Sequence, residues 1–436
     1  MKGWAVLLAG LAVLPAAPGR AQEAVAQDAC ENGHSLASGL CVSAGLTVDG
    51  FGSLRGGVNR DVSAASQLKL GLLADLGRVA GLQGWSIGTS AYGIWGKQPG
   101  QALTGSLAQP SSIEALSAVR LNEVWMQREV SGWGSLRIGQ LAADSEFAVA
   151  DIAANFVSDA FGWPLSLEEN LPSGGAAYPL AAPGVRLAIG EPGEGTGLRF
   201  GLFSGDPGGR YGEETDPERH NRYGTNFSTA GGAFMIAEAV TGASAREEGP
   251  RPWVGKLGFW YHNGGFDSQR RDGDGLSLAS PATSGEPRRY GHNEGLYGIG
   301  EVTLWRGEGQ SLGAFGRIFW QPADRNAVSL QVDAGVAWVG PFGRKEETVS
   351  LGASHARIGR DARLLDKDRQ AFTDPFRPAR THETVIEVNY DLPVGPVHLR
   401  PVAQWYIHPA AGEASEETGR KLRDALLLGA RLQVDF

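Results

Sequence analysis

Two kinds of side chain gather in the stretch 142–183: carboxylates and large rings. Asp144, Glu146 and Asp151 are followed by Phe161 and Trp163, then by the adjacent pair Glu168 and Glu169. Paired carboxylates could serve a glycosidase if the fold held them roughly 5–10 Å apart. The same groups could instead hold a sugar without breaking it. Flat rings contact the apolar face of a pyranose, and carboxylates accept from its hydroxyls. Spacing along the chain does not fix distance in space, so other chemistry must be sought. No histidine sits in a recognisable Ser or Cys triad setting. Gly-rich runs such as SGDPGG lack the lysine pattern of a phosphate loop. The reading is therefore binding rather than catalysis. It calls for no cofactor and no metal.

Plainer roles compete for the same residues. Asp144 stands where it could cap a helical turn in ADSEFAVADIAANF. Glu146 could complement the dipole of that turn. Trp163, before Pro164, could simply anchor the stretch.

The flanking elements say what must position these groups. The stretch follows SLRIG and precedes VRLAI, and it shows no period-2 alternation. It is too long for an ordinary connector and too rich in rings for a solvated linker. The rest of the chain does alternate. Leu426, Leu428, Ala430, Leu432, Val434 and Phe436 fall on one face of the last segment. Leu427, Gly429, Arg431, Gln433 and Asp435 fall on the other. There are about sixteen such segments of about ten residues, the length of a tilted membrane strand. Strands of a soluble sandwich average about five or six. Short connectors such as SGW, RGEG and LPVG alternate with long ones, and only QPADRN breaks the long series. The expected fold is all-β: a transmembrane antiparallel barrel of about sixteen strands with its third outer loop folded inward.

Composition agrees. The chain has 64 Gly, 12 Trp, 2 Cys and 3 Met in 436 residues. Its formal net charge of −9 argues against nucleic acid as a partner. Residues 1–21 read as a secretory signal, with cleavage after Ala21 or, as second choice, Ala26. Residues 22–43 then form a periplasmic N-terminal segment, and 44–436 the barrel in the outer membrane of a Gram-negative cell. Cys30 and Cys41 are expected to pair in that exported setting, two free thiols being the alternative. Trp95, Trp133, Trp253, Trp260, Trp305, Trp320, Trp338, Trp405 and Tyr406 suit the aromatic belts of the two membrane interfaces. On lumen faces the alternation places Arg55, Lys69, Arg137, Arg199, Lys256, Arg317, Glu387, Arg400 and Arg431. Loop acids facing wall bases would set up a transverse field across the narrow zone.

The strings RLNEVWMQ, GSLRIGQLAADSEF, FGWP, NLPSGGAAYPLAAPGVR and FSGDPGG resemble the carbohydrate-selective porin family of OprB type. The block from Arg120 to Gly209 carries most of the likeness, and the strand pattern up to Phe436 extends it. The resemblance implies a sixteen-stranded barrel that passes glucose and related sugars by diffusion into the periplasm. It also puts 142–183 at the place where general porins fold a loop inward. The substrate-contacting set expected on this basis is Asp144, Glu146, Asp151, Phe161, Trp163, Arg55, Lys69, Arg137, Arg199 and Arg317. The partners implied are monosaccharides, outer-membrane lipid and lipopolysaccharide, with monomer and trimer both open. A general or other small-solute porin is the alternative function, and a periplasmic sugar-binding protein a further one.

Overall fold

The computed structural model describes residues 34–130, 133–190, 196–209, 214–243, 252–344, 346–414, 419 and 421–436. The signal segment and Cys30 lie outside the described residues. Sixteen long strands make the wall. They are β1 (Leu40–Gly57), β2 (Val62–Asp75), β3 (Trp85–Gly96), β4 (Ala118–Val130), β5 (Gly134–Leu141) and β6 (Ala182–Ile189). Next come β7 (Thr196–Ser204), β8 (Ala233–Ala243), β9 (Trp253–His262), β10 (Asn293–Gly307) and β11 (Gln310–Trp320). The series ends with β12 (Val328–Val339), β13 (Thr348–Ile358), β14 (His382–Val394), β15 (Val397–Ile407) and β16 (Arg423–Asp435).

Each strand pairs antiparallel with the next, and β16 returns to β1 with Arg431 opposite Asp49. Closure matters because hydrocarbon offers no partner to a free strand edge. Parity then sorts the side chains. Leu428 is 48% exposed on the outer wall, while its neighbour Leu427 is fully buried. Outward rings such as Trp95, Trp320, Trp338 and Trp405 are exposed, as a membrane belt requires.

Two of the expected belt rings do not belong to the belt. Trp260 and Tyr406 are fully buried and point into the barrel. Trp260 shares its parity with Lys256, and Tyr406 shares its parity with Arg400, so alternation itself sends both inward. The N-terminal boundary also moves. β1 begins at Leu40, ahead of the expected start, and a short strand His34–Ala37 pairs with its first residues. Cys41 thus lies inside β1, opposite Leu73, and is disulfide-bonded.

The turns at one end are short. The β2–β3 turn holds a small helix, Leu76–Ala80, capped by the Asp75 carboxylate on the N–H groups of Gly77 and Arg78. Connections at the other end are long, apart from two tight links: 58–61 between β1 and β2, where the sequence pattern suggests a longer loop, and 321–327 between β11 and β12.

The lumen is largely filled. Residues 142–181 run through it as a series of short helical turns. Phe147, Phe156, Phe161, Leu165 and Leu167 pack there against wall residues Phe203, Phe234, Tyr297, Phe315 and Phe319. Phe156 stacks on Phe161 at 4.2 Å, and both meet Phe315. Gly352 makes room for them: a Cβ there would stand 2.7 Å from the Phe156 ring. A second connection, 97–117, also folds inward and buries Leu103, Ala108 and Ile113. The sequence reading treats that segment as an ordinary outer loop. Its signal was compositional, since between Lys97 and Arg120 its only charge is Glu114.

Candidate functional site

A loop without long helices or strands leaves its peptide groups unpaired, and buried peptide groups need partners. The wall supplies them. Glu238 accepts from Ala148 N at 3.1 Å, Glu301 from Ile152 N at 2.7 Å, and Glu387 from Val157 N and Ser158 N at 2.7 and 2.9 Å. Lys256 Nζ donates to the Val149 carbonyl at 2.7 Å, and Arg400 to that of Asn155 at 3.2 Å. Arg317 donates to the carbonyls of Ala148, Ala160 and Gly162 while pairing with Asp333 at 2.8 Å. Gln331 Oε1 accepts from Ser166 N at 2.8 Å. The second inward segment is held likewise: Glu383 accepts from Leu107 N and Ala108 N, and Asp159 from Gln109 N. Acids and bases of the wall therefore alternate in one task. The expected division into loop acids and wall bases is replaced by this mixed arrangement.

The charged groups that stay reachable gather at the first bend of the loop. Glu146 Oε1 lies 2.8 Å from Arg137 Nη1, and its Oε2 lies 2.8 Å from Arg186 Nε. Arg199 Nη1 donates to the Glu146 carbonyl at 2.7 Å and stands 3.7 Å from Glu238. Gln127 Oε1 accepts from Arg137 Nε at 2.7 Å and from Arg186 Nη2 at 2.9 Å. The Arg137 guanidinium sits over the Trp125 ring, 4.0 Å from its centroid. Glu123 closes the group by accepting from Ala142 N at 3.0 Å. Side-chain exposure is 18% for Arg137 and 21% for Glu146, so water reaches both. A guanidinium has five N–H donors, and these contacts leave some of them free for hydroxyls.

The structure brings together Glu146, Arg137 and Arg199 from the expected set, with Lys69 exposed on β2, two strands from β4. Asp144 lies beside this group, within electrostatic reach of Glu123 and Lys69, and the remaining members lie apart from it. Phe161 is 3% exposed in the core, and the Arg317 side chain has no exposed surface. In this arrangement both serve as packing and anchoring groups instead of sugar contacts. Trp163 is half-buried and donates from Nε1 to the Gly174 carbonyl at 3.0 Å, its anchoring alternative. Asp144 does not cap: the turn Ala143–Ser145 begins at Ala142, and the carboxylate accepts from Tyr178 N at 2.8 Å. Asp151 is exposed further along the loop, and Arg55 is exposed near the outer end of β1. Missing from the expected set are Glu123, Trp125, Gln127 and Arg186. The first three were legible, because alternation in RLNEVWMQ puts them on one face, opposite Val124 and Met126.

Burial raises the pKa of several loop acids, Asp144 and Glu114 among them. It pushes the Asp144 carboxyl up to about 6, against the lowering effect of the Tyr178 N–H. It pushes Glu114 up to about 8, although Gly100 N and Ser111 N both donate to that carboxyl.

Known proteins fit this geometry. The high-pH structure of Pseudomonas putida OprB superposes with a TM-score of 0.79 at 17% identity, covering 91% of this chain and 94% of that one. The outer membrane channel DcaP of Acinetobacter baumannii is more distant, with a TM-score of 0.50 at 11% identity over 93% and 99% of the two chains. At these identities the likeness speaks for the barrel fold. A comparison with curated proteins finds no match. The family model described as "Carbohydrate-selective porin, OprB family" matches residues 59–436. The chain belongs to that family, and it is a sugar porin of the outer membrane.

Proposed function

We propose that the bend at Glu146 is the selectivity zone of the pore, and that it passes glucose and related monosaccharides by passive diffusion. One observation carries this reading: a single carboxylate held between Arg137 and Arg186 at a partly open surface, beside the Trp125 ring. A pyranose offers hydroxyls that both donate and accept, so it suits a surface presenting both kinds of group. A small ion of either sign meets its own sign at close range. Binding stays weak because Glu146, Arg137 and Arg186 already have partners, and weak binding lets a solute leave.

The chain acts without catalysis in this reading. Export depends on the segment 1–21. Outside the wall its partners are lipid and lipopolysaccharide. Cys30 is the partner of Cys41.

The test is liposome swelling with a graded series of sugars, amino acids and salts. Sugars should enter faster than other solutes of equal size. Deleting the centre of 142–183 should raise conductance and flatten that preference. Rates set by size alone would make the chain a general porin. Unchanged rate and preference after the deletion would move the selectivity zone elsewhere.

A further inference from the structure

Beyond the pore, the outer connections build a second cavity, of about 650 Å³. This falls within the roughly 300–1,000 Å³ range of small-molecule sites. One wall comes from the β9–β10 connection, with Leu278, Ala279 and Pro281. The other comes from the helix Arg360–Phe372 and the turn after it, with Arg369, Asp374 and Arg377.

Both walls are fixed in advance. Arg270 holds Asp368 of the helix in a bidentate pair at 2.7 and 3.1 Å, and Ser277 Oγ donates to the same carboxylate at 2.5 Å. Asp272 gathers the far side of its connection, accepting from Leu276 N, Thr283 Oγ1 and Ser284 N. Gln370 Nε2 donates to the Arg377 carbonyl at 2.6 Å and pins the turn. A preorganised pocket binds without ordering its own loops first.

The lining indicates the ligand class. Arg377 is paired with Glu413 at 3.1 Å, and Arg369 lies 3.7 Å from Asp366. Asp374 adds an acceptor to the same rim. Asp366 is also held by Arg380 at 2.9 and 3.1 Å, so the three guanidiniums of Arg369, Arg377 and Arg380 face the three carboxylates of Asp366, Asp374 and Glu413. This balance disfavours an anion and suits a neutral ligand that both donates and accepts. Leu278, Ala279 and Pro281 offer an apolar patch for its C–H face. Beside the cavity, on the turn carrying Asp374 and Arg377, the Phe376 ring is 93% exposed. An exposed ring next to paired charges is a combination that a pyranose can use.

We propose that this cavity is an outer docking site for neutral saccharides. The proposal rests on the sugar-porin reading only for its choice of ligand. The site lies on the outer connections, apart from the Glu146 bend. It raises the local concentration of sugar at the outer face and leaves the pore itself unchanged.

The experiment uses the folded, detergent-solubilised barrel and a photoreactive maltoside. Crosslinks should map to peptides holding 278–281 or 373–377, and free maltose should compete them away. Ser280→Trp and Thr373→Trp fill the cavity from opposite walls, so one remains informative if the other fails to fold. Each should cut labelling by about tenfold, a loss equivalent to one good contact. Swelling rates at saturating glucose should stay at the wild-type value in both variants. Absent labelling at these peptides, with sugar-selective swelling intact, overturns the docking site and leaves the porin reading standing. Labelling that glucuronate displaces better than maltose overturns the neutral ligand class. Labelling as expected, with swelling set by size alone, supports the cavity and removes the selectivity proposed for the pore.

Discussion

Arg317 on β11 and Asp333 on β12 form an ion pair with no exposed side-chain surface, and the same guanidinium clasps three carbonyls of the inward loop. Arg317 is thereby a hinge pin between wall and loop, although its place on a lumen face suggests a pore charge.

Removing it has a definite consequence. Arg317→Ala leaves Asp333 buried beside Gln331 alone, and breaking such a pair costs about 3–5 kcal/mol. The barrel should still form, because strand pairing does not depend on this contact. The loop should detach. Single-channel conductance should rise, and proteolysis should cut within 142–181. An unaltered conductance would show that the remaining wall contacts hold the loop without Arg317.

Glu146 calls for a different outcome. Glu146→Gln keeps the shape but removes one negative charge between Arg137 and Arg186. Permeability should shift toward anions, read as a change of reversal potential in a salt gradient. Glucose affinity should fall about tenfold if the carboxylate contributes a charged hydrogen bond of about 1–2 kcal/mol. Trp163→Ala, by contrast, should loosen the loop more than it weakens sugar binding, because its indole N–H is used internally.

The expected set of contacts was half legible, for a physical reason. Alternation reports which face a strand residue occupies, so Arg137, Arg199 and Lys69 could be placed on the lumen side from sequence. It does not report whether that face meets water. Arg317 and Phe161 were assigned to an open pore, yet the loop lies over them. The acceptors of Arg317 lie some 155–170 positions away in the chain, beyond any local pattern. Trp260 and Tyr406 show the converse: their parity was readable, and proximity to strand ends was weighed above it. The inward course of 97–117 was signalled only by missing charge, which period-2 reading does not use.

Glu114 predicts a pH effect in that second segment. Its folded value of about 8 lies above the ordinary 4.5, so the loop favours the neutral carboxyl. The stability this contributes is complete below the ordinary value and is lost as pH rises through about 8. Amide exchange in 97–117 should therefore quicken, beyond its intrinsic increase, from about pH 6 to about pH 8, and level off above that. Asp144, with its value near 6, should contribute little across that interval. Glu114→Gln should abolish the extra increase. Equal behaviour of wild type and variant would assign the effect to another group.

The disulfide of Cys41 joins the start of the wall, and it lies at the edge of a sheet already closed by strand pairing. A double Cys30→Ser, Cys41→Ser variant should keep the heat-dependent gel shift of a folded barrel. Loss of the folded band would make the bond a requirement for assembly.

The wall grips its inward loop chiefly by peptide N–H and C=O groups, and every residue type except proline carries both. Loop side chains that do not themselves contact the wall are consequently free to change while the loop keeps its path. A single scaffold can in this way be retuned from one solute to another by substitutions at a few loop positions, with no second change needed to hold the new residue in place.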